Sequence, residues 1–374
     1  MQVNKDRLVK TLQSLVKIPS FQDSLEISRW VRNELEGFGY HVTSDNDGNL
    51  IAEIGKGPGF ILNAHLDTVG AGDGWKHGPF AGTIENGRLY GRGSSDCKAG
   101  VASMIEIARV LKKESIKKRV VFTFTAFEEG YPLGKNGVYR ILPKLKNIDK
   151  GLVLEPTYSN GALEIYVGCR GSARYQIDIM GERGHSSTPE RYDNPIYKFP
   201  KLLEELKSFP KGTMKVGILG KEISDAMTVT EIWAKEGGNV IPAKCTITID
   251  RRSLPTEKPG EADKKIRALC EKALGKKFAM ENKSSVQGYL YEDPEFLEMC
   301  KQAVISAGCK TGADFLMARI DASILYNFAG IGALKLGPGT KEQAHVIDEY
   351  CDLQGLQKAT EAVLGAIKRW DGSQ

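Results

Sequence analysis

Arg119–Ala126 reads RVVFTFTA, and Phe127–Gly130 continues it as FEEG. The first stretch is an almost unbroken run of β-branched and aromatic side chains. A strand with one wet face alternates apolar and polar residues. A run that is apolar throughout belongs to a strand covered on both faces, the habit of parallel sheets flanked by helices. The acidic pair that follows therefore stands at the mouth of a buried strand, where a merely solvated Glu-Glu pair is out of place.

Working outward, GLVLE (Gly151–Glu155), NLIAEI (Asn49–Ile54) and FILNA (Phe60–Ala64) repeat the strand pattern. Helical patterns lie between and before them. Leu8, Leu12, Leu15 and Val16 share one face, Leu25–Phe38 ends at Gly39, and Ala99–Lys112 turns Val101, Met104, Ile105, Ala108 and Leu111 inward. Strands alternating with helices predict an α/β domain with a mostly parallel sheet. After Glu155 the texture changes. SARYQIDIMG, a helix over Pro195–Phe209, GTMKVGIL, DAMTVTEIWA, AKCTITIDRR, a helix over Gly260–Leu274 and FAMENKSS follow on short links. They predict an antiparallel sheet with two helices. The α/β pattern resumes with a helix over Phe296–Ala307, a loop with Asp321, the strand IGALKLG and a last helix. The reading is a discontinuous α/β domain, residues 1–167 and 286–374, with an α+β domain, residues 168–285, inserted.

Composition excludes other classes. The 374 residues suffice for a large core, and 41% hydrophobic with 26% charged residues is ordinary for a globular chain. No apolar run suggests a signal peptide or a membrane span. Seven cysteines are scattered singly with no Cys-x-x-Cys pair, which suggests reduced thiols and a cytoplasmic protein. The formal net charge of +5 is mild, and the Lys-rich KKESIKKR lacks interleaved aromatics, so neither nucleic acid nor membrane is an expected partner.

The chemistry-bearing residues fall at strand–loop and loop–helix junctions. His65 follows FILNA, Asp96 precedes a helix, Glu128 and Glu129 follow the buried strand, Glu155 follows another, and His345 sits in GPGTKEQAHVIDEY. In open α/β sheets the ligand crevice lies beyond the carboxyl ends of the strands, so distant residues can meet there. Two imidazoles with several carboxylates suit Zn²⁺, with Co²⁺ or Mn²⁺ as substitutes. Two ions sharing a carboxylate, with another carboxylate left to move protons, suit hydrolysis. Each motif has a bland alternative: an N-terminal cap at Asp96, a turn at Asp67-Thr68, polar surface at His41 and His77. Their joint occurrence at junctions of one α/β pattern favours the metal site.

Taken together, HLDTV, the stretch from Trp75 through PF to NGRLYGRGSSDCKAG, EEG, EPT, GHSSTP, GNVIP with IDRR, and QAHVIDEY resemble one family over nearly the whole chain. It is the co-catalytic zinc metallopeptidases and deacylases that include glutamate-releasing carboxypeptidase, aminoacylase, acetylornithine deacetylase and succinyl-diaminopimelate desuccinylase. The resemblance implies two Zn²⁺ per subunit: one on His65, Asp96 and Glu155, the other on Asp96, Glu129 and His345, with Asp96 bridging. It implies Glu128 as general acid/base and Asp67 as the residue orienting His65. It also implies a cis Asp96–Cys97 peptide and an inserted ferredoxin-like lid and dimerisation domain. His185 in that domain would stabilise the oxyanion in the partner's site, with Asn239 and Arg252 engaging substrate. The expected activity is amide hydrolysis of small N-acyl amino acids by a metal-bridged hydroxide in a homodimer, with a di- or tripeptide exopeptidase as the alternative. A non-catalytic binding protein and a metal-dependent phosphoesterase fit less well, because the Glu base and all the ligands are present and Arg252 matches a lid residue. Phe127 stands where the family often has Asp, and YPLGKNG and His77 also depart from its pattern. These departures bear on substrate and leave the metal ligands intact.

Overall fold

A computed structural model of the chain describes residues 2–114 and 116–372. The chain divides into two compact units: residues 1–168, 291–315 and 320–374, and residues 169–290 with 316–319. In chain order the strands that position the site are β1 (Val42–Ser44), β2 (Leu50–Ile54), β3 (Lys56–His65), β4 (Lys118–Thr125), β5 (Ile148–Val153), β6 (Ala162–Cys169), β7 (Ser172–Met180), β8 (Ala226–Trp233), β9 (Lys244–Arg252), β10 (Phe278–Val286) and β11 (Gly332–Lys335). The helices are α1 (Lys5–Val16), α2 (Leu25–Gly37), α3 (Lys98–Leu111), α4 (Phe199–Lys207), α5 (Glu261–Leu274), α6 (Pro294–Ser306), α7 (Ala322–Ala329) and α8 (Leu353–Asp371).

The first unit is a mixed α/β structure whose sheet runs β1-β2-β4-β3-β5-β11-β6. Its centre is parallel: β3 pairs with β4 and with β5, and β5 pairs with β11. The flanking pairs β1–β2, β2–β4 and β11–β6 are antiparallel. The RVVFTFTA run forms β4, buried from Val120 to Thr125. Helix α3 differs from the amphipathic expectation. Thirteen of its fourteen residues are buried, because it packs on β3 and is also covered by α1, α2 and α8. Its polar residues survive there by pairing: Ser103 with Thr360 at 2.5 Å, and Glu106 with the Arg7 guanidinium at 2.8 Å.

The second unit is a four-stranded antiparallel sheet in the order β8-β9-β7-β10. Alternate residues of β7 and β9, among them Tyr175, Ile177, Ile247 and Ile249, pack with Leu202 of α4 and Ile266 of α5 into one core. Most of the remaining positions are polar, and some bond across strands, as Thr246 donates to Asp178 at 2.8 Å. The GTMKVGIL stretch does not join this sheet. Thr213–Val216 pairs with Lys221–Ser224 in a separate hairpin, and Gly217–Leu219 is a 3₁₀ turn. The expected helix over Pro195–Phe209 likewise begins as a 3₁₀ turn at Pro195–Lys198 before α4.

Candidate metal centre

Parallel strands align their carboxyl ends, and this alignment assembles the site. His65 closes β3, Glu128 and Glu129 follow β4, Glu155 follows β5, and the loop after β11 carries His345. Asp96 lies just before α3, and the Asp96–Cys97 peptide is cis.

His65 is buried, with Nδ1 2.9 Å from the backbone carbonyl of Asp67 and Nε2 3.0 Å from Asp96 Oδ1. A carbonyl can only accept, so Nδ1 carries a proton and Nε2 is the nitrogen left for a cation. Burial lowers the affinity of this imidazole for a second proton. The charges and bonds of Cys97, Asp96 and Asp67 outweigh burial and hold it well above its ordinary range. The Asp67 carboxylate stays beside the same ring, with Oδ1 3.7 Å from Nδ1, and also grips the next loop. Its Oδ1 accepts from the Glu128 N–H at 3.2 Å and its Oδ2 from the Glu129 N–H at 2.9 Å. One buried side chain thus ties the loop bearing the glutamate pair to the strand end bearing His65.

Glu129 Oε1 is 3.0 Å from His345 Nε2, which is also 3.7 Å from Asp96 Oδ2. The hydrogen bond to Glu129 raises His345 to about 9. Burial, against that bond and with the charges of Asp96 and Glu128, raises Glu129 to about 7. Asp96 goes the other way. Burial acts upward, but His65, Lys335 and His345 bring it below the usual carboxylate range. Ligand atoms of His65, Glu128 and Glu129 lie within 4.8 Å of one another, as do those of Asp96, Glu129 and His345. Phe127 and His345 both have positive φ, +62° and +65°. A left-handed aromatic or imidazole residue costs on the order of 1 kcal/mol, and such strain concentrates at working sites.

Glu155 stands slightly apart. It is buried and within electrostatic reach of Glu128, Asp96 and His65, and its Oε2 accepts from Lys335 Nζ at 3.1 Å. Burial raises its carboxyl above the usual range. Glu349 is the residue the sequence reading passed over, although it lies in QAHVIDEY. Fully buried, it accepts from Ser95 N–H at 2.9 Å and Asp96 N–H at 3.0 Å on Oε1. On Oε2 it accepts from Gly93 N–H at 2.9 Å and Arg92 Nη1 at 2.8 Å. It moors the loop that presents Asp96.

The other three candidates lie in the second unit. His185 and Asn239 come together there. His185 pairs in register with Val240, and the Ser186 N–H donates to the Asn239 carbonyl at 3.0 Å. His185 Nδ1 accepts from the Ser187 N–H at 3.1 Å, which leaves the ring proton on Nε2 as an outward donor. Arg252 ends β9 with its guanidinium forked onto Asp250, Nε to Oδ1 at 2.7 Å and Nη2 to Oδ2 at 3.2 Å.

The family model for peptidase family M20/M25/M40 matches residues 61–369. The chain belongs to this family. It is accordingly a metal-dependent hydrolase acting on amide bonds. A succinyl-diaminopimelate desuccinylase of Parvibaculum lavamentivorans is 31% identical over 339 residues, 87% of this chain and 84% of the relative. A tripeptidase structure from Staphylococcus aureus superposes with a TM-score of 0.81 at 22% identity, covering 100% of both chains. A dinuclear metal-binding peptidase of the M20 family from Bacillus subtilis superposes with a TM-score of 0.73 at 18% identity, covering 99% of each. Among the described residues no helix is long and apolar enough to cross a membrane, and all seven cysteines are free.

Proposed function

We propose that the chain is a dinuclear zinc amidohydrolase that removes the acyl group of small N-acyl amino acids. The observation that carries this reading is the glutamate pair at the carboxyl end of β4. Glu129 is bonded to His345, Glu128 is buried beside His65 and Glu129, and Asp67 holds both backbones. The donor set suits divalent cations, since carboxylates and imidazoles crowd together so closely that burial and like charge lift Glu129 to about 7. His65, Asp96 and Glu155 would hold one ion and Asp96, Glu129 and His345 the other, Co²⁺ or Mn²⁺ being able to replace Zn²⁺. When bound, the ions supply Lewis acidity toward the scissile carbonyl and make a water nucleophilic at neutral pH.

The side chains do the rest. Glu128 takes a proton from the attacking water as its oxygen bonds to the amide carbon. It returns that proton to the leaving nitrogen as the C–N bond breaks, giving an amine and a carboxylic acid that passes its remaining proton to water or to the amine. In this reading the second unit is a lid that also forms a homodimer. His185 of one protomer, donating from Nε2, meets the developing oxyanion in the partner's site, while Asn239 and Arg252 bind the substrate's carbonyl and carboxylate. Support for the dimer is the edge strand β8, which presents Ile232 and Trp233 at 51% and 65% exposure.

The desuccinylase relative favours acyl amino acids. The full-length likeness to a tripeptidase supports the second reading, a di- or tripeptide exopeptidase. The test is Glu128→Gln in Zn²⁺-loaded protein, assayed on N-succinyl and N-acetyl amino acids and on di- and tripeptides. Wild type should turn over the acyl amino acids fastest. The variant should keep its zinc and lose at least about a hundredfold in kcat. Near-normal turnover by the variant, or loss of one zinc, refutes the assignment of Glu128.

A further inference from the structure

Asp321 is a buried carboxylate outside the ligand cluster, in the loop before α7. It stands at the N-terminal cap position of that helix, yet its side chain makes no capping bond there. Its Oδ1 accepts from Asn136 Nδ2 at 2.9 Å and its Oδ2 from Thr125 Oγ1 at 3.4 Å. Thr125 ends β4, and its hydroxyl also accepts from Asn63 Nδ2 of β3 at 3.1 Å. Asn63, Thr125, Asn136 and Asp321 are each 2% exposed or less. A polar group so deeply buried is costly without its partner, so these side chains fix one another's geometry.

The network lies at the base of the loop that carries the glutamate pair. Residues 127–136 leave β4 and return to the same place. The Ala126 N–H donates to Asn49 Oδ1 at 2.8 Å, and the Gly137 N–H donates to the Ala126 carbonyl at 2.7 Å. The closure is tight. A Cβ on Gly137 would lie 2.6 Å from both N and O of Ala126 and overlap Asn49 Oδ1, so only glycine fits. Asn136 serves both ends of the loop. Its Oδ1 accepts from the Tyr139 N–H at 3.2 Å and caps the short helix Gly137–Ile141. Its Nδ2 also lies 3.5 Å from the Phe127 carbonyl. Phe127 is the left-handed residue just before Glu128, and such a conformation persists only where its surroundings hold it. Asp67 grips the loop by the Glu128 and Glu129 N–H groups. Asp321, through Asn136, grips the peptide before them.

We propose that Asp321 and Asn136 are positioning residues for the hydrolysis. Asp321 orients the Asn136 amide, the amide holds the two ends of the loop together, and the loop sets Glu128 against the water whose proton it takes. The inference rests on the reading of Glu128 as the proton carrier. A proton moves only across hydrogen-bond distance, and a displacement of about 1 Å can cost about a hundredfold in rate. The loss therefore falls on kcat rather than on KM.

The test breaks the Asn136–Asp321 bond and then rebuilds it in reverse. Asn136→Ser keeps an oxygen to cap the short helix but is too short to reach Asp321, and Asp321→Ala removes the acceptor. With Zn²⁺-loaded protein and N-succinyl and N-acetyl amino acids, each variant should lose at least about tenfold in kcat. KM should stay within about threefold, and zinc content should be kept. The pair Asn136→Asp with Asp321→Asn exchanges donor for acceptor and leaves an oxygen for Thr125, so it should keep most of the wild-type kcat. In metal-free protein, hydrogen–deuterium exchange over residues 127–137 should be faster in Asn136→Ser than in wild type or the reversed pair. Wild-type kcat in folded Asn136→Ser or Asp321→Ala overturns the proposal. So does a folded reversed pair as slow as Asn136→Ser, or failure of both single variants to fold, which would make the bond a requirement of folding alone. Near-normal turnover by Glu128→Gln is a different failure. It refutes the reading of Glu128, whereas the exchange measurement, which needs no turnover, reports on the Asn136–Asp321 brace by itself.

Discussion

Glu349→Gln keeps the shape of the side chain and removes its charge. In the native chain four donors converge on two oxygens: Ser95 and Asp96 N–H on Oε1, Gly93 N–H and Arg92 Nη1 on Oε2. However the amide is turned, its NH₂ group faces two of these donors. Two hydrogen bonds become donor–donor contacts at a fully buried place, each costing about 1–3 kcal/mol. Arg92 also loses the partner of a buried ion pair in which both side chains are under 4% exposed, a change worth about 3–5 kcal/mol by itself. These terms share atoms and do not add, so a loss of about 3–5 kcal/mol is expected.

The damage is also local. The mooring holds the backbone of Asp96, so the variant should bind metal poorly at both proposed positions, which share that residue in the proposed reading. Urea unfolding of stripped protein measures the first effect, and metal analysis after dialysis measures the second. Protein that loses less than about 1 kcal/mol and retains its full metal complement would show that the Asp96 loop is held by something other than Glu349.

Asp293 caps α6 through the Phe296 N–H at 2.9 Å, pairs with Lys150 at 2.7 Å and accepts from the Tyr291 hydroxyl at 3.0 Å. Burial acts upward on its carboxyl, but these partners bring it below the usual range. Its charge therefore stabilises the fold above pH about 4. That contribution fades as pH falls through the depressed folded value. Urea unfolding should find Asp293→Asn about 1 kcal/mol less stable from pH 7 to 5, with the gap closing toward pH 3; a gap that does not move with pH contradicts this. An inactive His185→Ala chain mixed with an inactive Glu128→Ala chain should regain activity, up to about a quarter of wild type from random pairing. No recovery from confirmed heterodimers removes His185 from the partner's site.

What could be read in advance divides along physical lines. The nearly continuous β-branched and aromatic run of β4 announced a strand covered on both faces, and the residues just past it pointed to a candidate site, because backbone pattern and side-chain chemistry are both local in sequence. Helix α3 was legible as a helix but not as one buried all round, since Ser103 and Glu106 look solvent-facing until Thr360 and Arg7 supply their partners. GTMKVGIL reads as a sheet strand because its composition is right, yet only tertiary pairing decides which strand it joins. Asp67 was legible as an accessory to His65; that its carboxylate would grip two backbone N–H groups 61 and 62 residues away was not. Lys335 did leave a signal. A lysine inside the apolar strand IGALKLG must find an anion, and the nearest strand ends are acidic.

The carboxylates around the site sort by what neutralises them. Asp67 and Glu349 spend their oxygens on backbone N–H groups, with Arg92 added at Glu349, and these donors cannot leave without breaking the fold. Such carboxylates fasten the loops that carry the proposed ligands. Asp96 and Glu129 are neutralised by His65 and His345, imidazoles whose extra protons are exchangeable. In the proposed reading a divalent ion takes the place of those protons and keeps the imidazoles as ligands. Glu155 belongs to neither group, because its partner is the side chain of Lys335, buried with it. The same criterion separates ligand from scaffold in any cluster of buried acids. It asks whether the cation or donor facing each oxygen could give way to a metal ion without unfolding the chain.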